Sequence, residues 1–225
     1  MNSRDTILKR IRDAQANITP AELPQTEPVW PADDMTADQR VESFCENIRE
    51  VHGEPHVVDT VAAAAEHFAS LVGDESWDTF TSIDDPAARD LLAKIPADQV
   101  TWVEPGSDAE SLAAGLTPDE IATRDAGIIV GKFLLTDTGS VVVDCPTTAE
   151  RLLCYLPPVS VIVAPVSALR QTLSTAWDEI KQPTESPDRT GEIVVITGPS
   201  RTADIEKRLV LGVHGPRRVI VYLIK

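Results

Sequence analysis

From residue 55 onward, short β-branched and apolar runs alternate with helical stretches of about ten residues, and that alternation admits few folds. Two strands joined through a helix cannot close as a hairpin. The second must lie parallel to the first, and both faces of the resulting sheet need cover. Residues 56–59, 79–83 and 100–103 read as strands. The helices between them carry their own boundary signals. One spans 61–72 and stops at Gly73; the next, 87–95, opens on the N-cap Asp85 followed by Pro86. Ser107-x-x-Glu110 caps a third. The expectation is an α/β domain with a largely parallel sheet.

The middle of the chain departs from this rhythm. Residues 126–130, 133–136 and 140–144 are apolar runs separated by short glycine-containing breaks, which suggests a meander or hairpin. Thr147-x-x-Glu150 caps a short helix through residue 153, ended by Pro157-Pro158. A buried strand over 159–164, a helix over 168–180 and a polar loop over 182–191 follow. A second buried strand, 193–197, leads through Gly198-Pro199-Ser200-Arg201 into a predicted helix from Thr202, and residues 218–224 form the closing strand. Ahead of all this, residues 3–18 are an amphipathic helix with Ile7, Leu8, Ile11, Ala14 and Ile18 on one face. Pro20, Pro24, Pro28 and Pro31 mark an extended arm, so residues 1–35 read as a helix plus proline-rich arm and 36–225 as the domain. The domain opens on the capping box Thr36-x-x-Gln39, starting a helix whose apolar face is Val41, Phe44, Cys45, Ile48 and Val51.

Charge narrows the partners. With 20 Lys+Arg against 36 Asp+Glu, the chain carries −16 and is ill-suited to nucleic acid or an anionic membrane. Residues 191–225 alone are net basic, with 6 basic and 3 acidic side chains, so a local anion site is expected there. No apolar run is long enough to span a membrane and the N-terminus has no signal-peptide core, so the reading is cytoplasmic. Cys45, Cys145 and Cys154 are an odd and dispersed set without a CxxC pair; His52 and His56 are four apart, but Gly53 and Pro55 between them break the helix a paired metal site would need, and His67 and His214 stand alone. The expectation is that this chain binds no metal or iron–sulfur cluster and has no disulfide framework.

Three segments carry chemistry. Thr136-Asp137-Thr138-Gly139-Ser140 follows an apolar strand, as in aspartic proteases, but that mechanism needs two carboxylates and the chain has one such motif. The alternative is a tight turn in which Gly139 supplies φ > 0. Thr197-Gly198-Pro199-Ser200-Arg201-Thr202-Ala203-Asp204 joins a strand to the predicted helix. Free N–H groups, the hydroxyls of Ser200 and Thr202 and the Arg201 guanidinium would there favour an anion at the carboxyl end of a parallel strand. Its bland counterpart is a helix cap with Arg201 paired to an acidic surface. Gly212-Val213-His214-Gly215-Pro216-Arg217 brings a histidine between two glycines, where His214 donates a hydrogen bond, carries a proton or is simply structural.

Together with Arg151 and Leu156-Pro157-Pro158, these three segments resemble the LUD-domain family, in its lactate-utilisation protein C group, over roughly residues 50–225. Ser160 departs from the histidine expected after the double proline in many members. The resemblance implies a Rossmann-like three-layer α/β/α domain of the sugar-phosphate isomerase and CoA-transferase type, with an N-terminal helical extension. It also implies a role in oxidising L-lactate to pyruvate, alongside partner subunits that hold the iron–sulfur clusters. In that role the chain is an accessory or substrate-handling subunit. A small carboxylate or phosphate-bearing anion would bind at Thr138, Gly139 and Ser140 and at Gly198, Ser200, Arg201, Thr202, His214 and Gly215. The alternatives are a stand-alone enzyme of that superfamily with Asp137, Asp204 or His214 as acid or base, and a non-catalytic scaffold. The sequence leaves a homo-oligomer open.

Overall fold

The computed structural model describes residues 3–16, 35–104, 116–146, 148–180, 192–203 and 209–225. Met1–Asp34 and Met35–Lys225 are two separate compact units. The first contains α1 (Ser3–Gln15), with Asp5 in its first turn and Arg12 in its last, each charge suited to the dipole at its end. The proline-rich stretch 19–34, the Ser107-x-x-Glu110 cap, Thr147 and the 182–191 loop lie outside the described residues.

The second unit opens with α2 (Ala37–Glu50), β1 (Glu54–Val58), α3 (Val61–Glu75), β2 (Phe80–Ile83), α4 (Pro86–Leu91) and β3 (Val100–Val103). It continues with α5 (Pro118–Ala122), β4 (Ala126–Val130), β5 (Phe133–Leu135), β6 (Ser140–Cys145), α6 (Thr148–Tyr155) and β7 (Val159–Pro165). Last come β8 (Leu169–Arg170), α7 (Leu173–Ile180), β9 (Glu192–Ile196), β10 (Arg201–Ala203), β11 (Leu209–Leu211) and β12 (Arg218–Ile224). Several boundaries are side-chain caps read directly from the sequence. Thr36 and Gln39 close a reciprocal capping box on α2, and the Asp85 carboxylate accepts from Ala87 N–H at 2.8 Å at the start of α4.

The expected parallel sheet has six strands in the order β1-β12-β7-β4-β2-β3, every neighbouring pair parallel. Alternate residues of its strands face opposite layers. On one face Phe68 of α3 meets Phe80 at 5.9 Å and Tyr222 at 6.3 Å between ring centroids. On the other, a Cβ at Gly127 would stand 2.5 Å from Pro157 Cγ and 3.2 Å from the Leu153 carbonyl, so the end of α6 lies directly on β4. Helices on both faces make the three-layer α/β/α arrangement, and β2 and residues 159–164 of β7 are accordingly buried on both sides. At the sheet's other end Arg218 grips Glu54 with two bonds of 2.8 Å and Glu75 with one of 2.7 Å, tying β12 to β1 and to the end of α3. No helix among the described residues is long and apolar enough to cross a membrane.

A second sheet, β8-β5-β6-β9, contains the expected β5–β6 hairpin, with β9 antiparallel to β6 and β8 parallel to β5. Three expectations need correction here. The helix predicted from residue 168 begins at Leu173, because Leu169 and Arg170 pair with Leu134 and Leu135 as β8. Thr172 supplies the start signal, its hydroxyl accepting from Thr175 N–H at 3.2 Å. Next, β9 is an edge strand rather than a strand buried on both faces: Val194 is buried but Val195 is 44% exposed. Finally, no helix starts at Thr202. Residues 201–203 form β10, antiparallel to β11. Ser200 N–H is given to Pro216 O at 2.8 Å and Gly212 N–H to Ser200 O at 2.9 Å, which steers the chain into a ribbon.

His56 of β1 faces Tyr222 across the β1–β12 pair, with ring centroids 5.3 Å apart, and lies 4.3 Å from the ring of His67, whose Nδ1 meets the Tyr222 hydroxyl at 2.8 Å. Burial and then His67 hold His56 below the ordinary value of 6.5; Glu54 opposes them, and Arg49 and Arg218 add to the lowering. A depressed histidine in the folded state means that the unfolded chain takes up this proton first. The stability contributed by neutral His56 is therefore present above pH 6.5 and lost as the pH falls from there through the folded-state value. Urea midpoints measured at about pH 7.5 and about pH 5.5 should drop on acidification, and His56→Gln should show a smaller drop. An unchanged difference in the variant would exclude His56 as the source.

Candidate functional site

The turn between β5 and β6 is anchored from two sides. Thr136 N–H and Asp137 N–H donate to Arg170 O and Gln171 O at 2.9 and 3.1 Å, and the Asn47 side-chain amide donates to Thr136 O at 2.6 Å from α2. Gly139 has φ of +62° and sits against the backbone of α2; a Cβ there would stand 2.6 Å from Asn47 C and Ile48 Cα. The tight-turn geometry expected for this motif is therefore present, and its glycine also permits close helix contact. Gly198 repeats the device: with φ of +77°, a Cβ would lie 2.5 Å from Val51 O, just past the end of α2.

These two contacts bring the hydroxyls beside the glycines together. Ser140 Oγ lies 2.7 Å from Thr197 Oγ1 and donates to Thr138 Oγ1 at 2.8 Å, and Thr138 donates to Asp137 Oδ1 at 3.3 Å. Because Ser140 spends its one proton on Thr138, Thr197 is the donor to Ser140. Three hydroxyls thus run in series from Thr197 to the Asp137 carboxylate. Thr197 in turn lines a cavity of about 280 Å³ with Gly198, Ser200, His214, Gly215 and Cys154. The second and third sequence segments thus line one space, and the first adjoins it through the contact of Ser140 with Thr197.

Other expectations about this site change. Arg201 is exposed at the start of β10 and is not among the residues lining the cavity, so no helix N-terminus stands behind it. The Ser200 N–H proposed as an anion donor is already bonded to Pro216 O. The loop does not follow a strand of the parallel sheet: β9 belongs to the second sheet, and Pro216 and Val219 put the cavity at the amino edge of β12. The backbone of Thr202 continues β10, and Asp204 lies outside the described residues. The cysteines are not all dispersed either, because Cys145 and Cys154 meet with 3.7 Å between sulfurs. Cys45 is a buried core residue, as its place on the helix suggests.

Sequence reasoning missed a larger cavity of about 890 Å³ at the carboxyl edge of the sheet. Arg40, Cys45 and Arg49 of α2 line it with Val57, Arg170 and Lys225. Among its cations, Arg170 holds Glu179 at 2.8 Å and Lys225 holds Asp59 at 2.9 Å. The spacing of Val41, Cys45 and Arg49 at i, i+4 was visible in the sequence, but nothing indicated what that face of α2 would meet.

The LUD domain family model matches residues 41–224. The chain is 28% identical over 142 residues to lactate utilization protein C of Halalkalibacterium halodurans, covering 56% of this chain and 62% of that protein. It is 32% identical over 118 residues to lactate utilization protein C of Bacillus velezensis, covering 52% and 48%. With the uncharacterized protein YkgG of Escherichia coli it shares 28% identity over 127 residues, or 56% and 52%. The matched region thus spans roughly half to three-fifths of these curated relatives. A crystal structure of a duf162 family protein from Deinococcus radiodurans matches with a TM-score of 0.55 and 16% identity, covering 85% of this chain and 99% of that one, which establishes a shared fold. The chain belongs to the LUD domain family.

If the glycine contacts with α2 set the site, filling one of them must be costly. Gly139→Ala combines a left-handed alanine with a collision against helix backbone, and should lower stability by ~2–4 kcal/mol in urea unfolding. Gly73→Ala, whose Cβ meets nothing within 4 Å, should instead be neutral or stabilising. Equal effects at the two positions would refute the close-contact account.

Proposed function

We propose that this LUD-domain protein is a component of a lactate-utilisation system, in which it binds a small anion, a carboxylate or phosphate-bearing molecule, in the cavity beside Thr197. The relatives named lactate utilization protein C support the system. The observation that carries the site is the 2.7 Å contact between Ser140 and Thr197, which unites two loops 57 residues apart at the wall of one cavity. Ser200 and His214 supply a hydroxyl and an imidazole there, suited to an oxyanion that must be held without a fixed cation, while Thr197, whose proton goes to Ser140, fixes the cavity wall. The chain acts as the accessory or substrate-handling subunit, and electron transfer belongs to iron–sulfur partner subunits. Co-expression with the genes beside its own should yield a complex carrying clusters in the partners and none in this chain.

A second reading has its own support. The hydroxyl series from Thr197 to Asp137 offers a path for a proton from the cavity to a carboxylate, as acid–base turnover by the chain alone would require. Turnover by the isolated chain that Ser140→Ala abolishes, with folding retained, would favour this reading over the accessory role.

Calorimetric titration with lactate, pyruvate and inorganic phosphate tests the binding site. A hydrogen bond to a charged group contributes ~1.5–3 kcal/mol, so His214→Ala should weaken binding by about 10- to 150-fold. Arg201→Ala, outside the lining, should have the smaller effect, and Arg49→Met in the carboxyl-edge cavity none. If Arg49→Met alone reduces affinity, the site is the carboxyl-edge cavity instead.

A further inference from the structure

Cys145 ends β6 and Cys154 lies in the last turn of α6, nine residues on. Both are buried, at 1% and 3% exposure, yet Cys154 forms part of the wall of the 280 Å³ cavity. That space far exceeds the ~30 Å³ that one water occupies in the liquid, so a molecule the size of hydrogen peroxide fits beside Cys154. The sulfurs stand 3.7 Å apart and need to close by only about 1.7 Å to reach disulfide length.

We propose that Cys145 and Cys154 are an oxidisable dithiol that hydroperoxides convert to an intramolecular disulfide on the cavity wall. The contact with Cys154 favours the Cys145 thiolate, against burial and the carboxylates of Glu150 and Glu192 and with Arg151 assisting; the same contact and burial push up Cys154, whose S–H also meets the Glu150 carbonyl at 3.4 Å. A thiolate sulfur attacks one peroxide oxygen, the O–O bond breaks, S–OH forms, and water or an alcohol leaves. The second sulfur attacks the S–OH sulfur, the S–S bond forms, and hydroxide departs with the remaining thiol proton as a second water. Two electrons pass from the sulfurs to the peroxide. The product staples the end of β6 to the end of α6 and draws a cavity-lining sulfur toward the second sheet. Cys45 takes no part, since it lines the other cavity. The inference is independent of what the amino-edge cavity binds.

Trypsin separates the two cysteines cleanly: cleavage after Lys132, Arg151 and Arg170 puts Cys145 on peptide 133–151 and Cys154 on 152–170. Reduced full-length chain is treated with hydrogen peroxide, alkylated under denaturing conditions and mapped without reduction. Free thiols should fall from three to one, with a linked 133–151/152–170 pair that dithiothreitol releases and with Cys45 alkylated. The link should form faster in the folded chain than in urea. Cys154→Ser should lose it and leave Cys145 trappable as sulfenic acid by a dione reagent, while Cys45→Ser should retain it. Persistence of three thiols, overoxidation of either cysteine without a link, pairing through Cys45, or equal rates folded and unfolded would each overturn the proposal.

Discussion

Two loop glycines press onto the end of α2 so closely that no side chain fits between them and the helix. Gly139 rests on the backbone of Asn47 and Ile48, and Gly198 on Val51. The same helix end turns through His52, itself at φ of +68°, and feeds β1 of the parallel sheet, while Gly139 and Gly198 belong to the second sheet and its exit. One helix terminus therefore fixes the two sheets relative to each other. The hydroxyl contact is a direct consequence, because Ser140 follows the first glycine and Thr197 precedes the second. Backbone packing sets the site's geometry before any side-chain bond forms, and the hydrogen bonds then fill an arrangement already held by sterics.

The central sheet carries a further cost that the fold tolerates. Thr81, Gly127 and Ser160 stand in register on adjacent strands, facing the same layer, with Pro157 over the glycine. Thr81 Oγ1 and Ser160 Oγ are fully buried and have no hydrogen-bond partner among the described residues. Each orphaned hydroxyl costs ~1–3 kcal/mol. Ser160 is the position where the family resemblance led one to expect histidine, and here it is a sealed core position beneath α6 rather than a group open to a ligand. The local shortage of side-chain volume at Gly127, Ser160 and Thr81 is what lets the double proline settle on the sheet.

Much of the architecture could be read from residue order because its causes are local. Caps such as Thr36-x-x-Gln39 and Asp85-Pro86 act within four residues, and near-continuous apolar runs such as 159–164, interrupted only by Ser160, are buried wherever they pair. The segment after Gly198 misled for the same reason. Its hydroxyls and acidic residues form a good local helix start, but the backbone N–H of Ser200 finds Pro216, sixteen residues away, and the chain enters a ribbon instead. The residue types around the candidate site were legible: glycines beside hydroxyls, and a histidine in a glycine loop. Their grouping was not, nor was the Cys145–Cys154 contact, since both depend on how β6, α6 and β9 meet in the second sheet. Arg201 drew attention for its charge, yet the cavity is lined by its uncharged neighbours.

Electrostatics gives that outcome a physical sense. A net charge of −16 repels small anions at long range, although at physiological ionic strength the effect fades over ~8 Å. An anion site on such a protein gains from donors that act only at contact. Hydroxyls and an imidazole do so, and they do not invite the many surrounding carboxylates to compete as a bare guanidinium would. At the carboxyl-edge cavity the opposite choice has been made, and the competition is visible: Arg170 and Lys225 are already held by Glu179 and Asp59. The α2 helix lines one space with Cys45 and Arg49, while Asn47, Ile48 and the following Val51 brace the loops beside the other. On this acidic scaffold the amino-edge cavity presents a serine hydroxyl and an imidazole, whereas the carboxyl-edge cavity presents cations of which Arg170 and Lys225 are held by carboxylates.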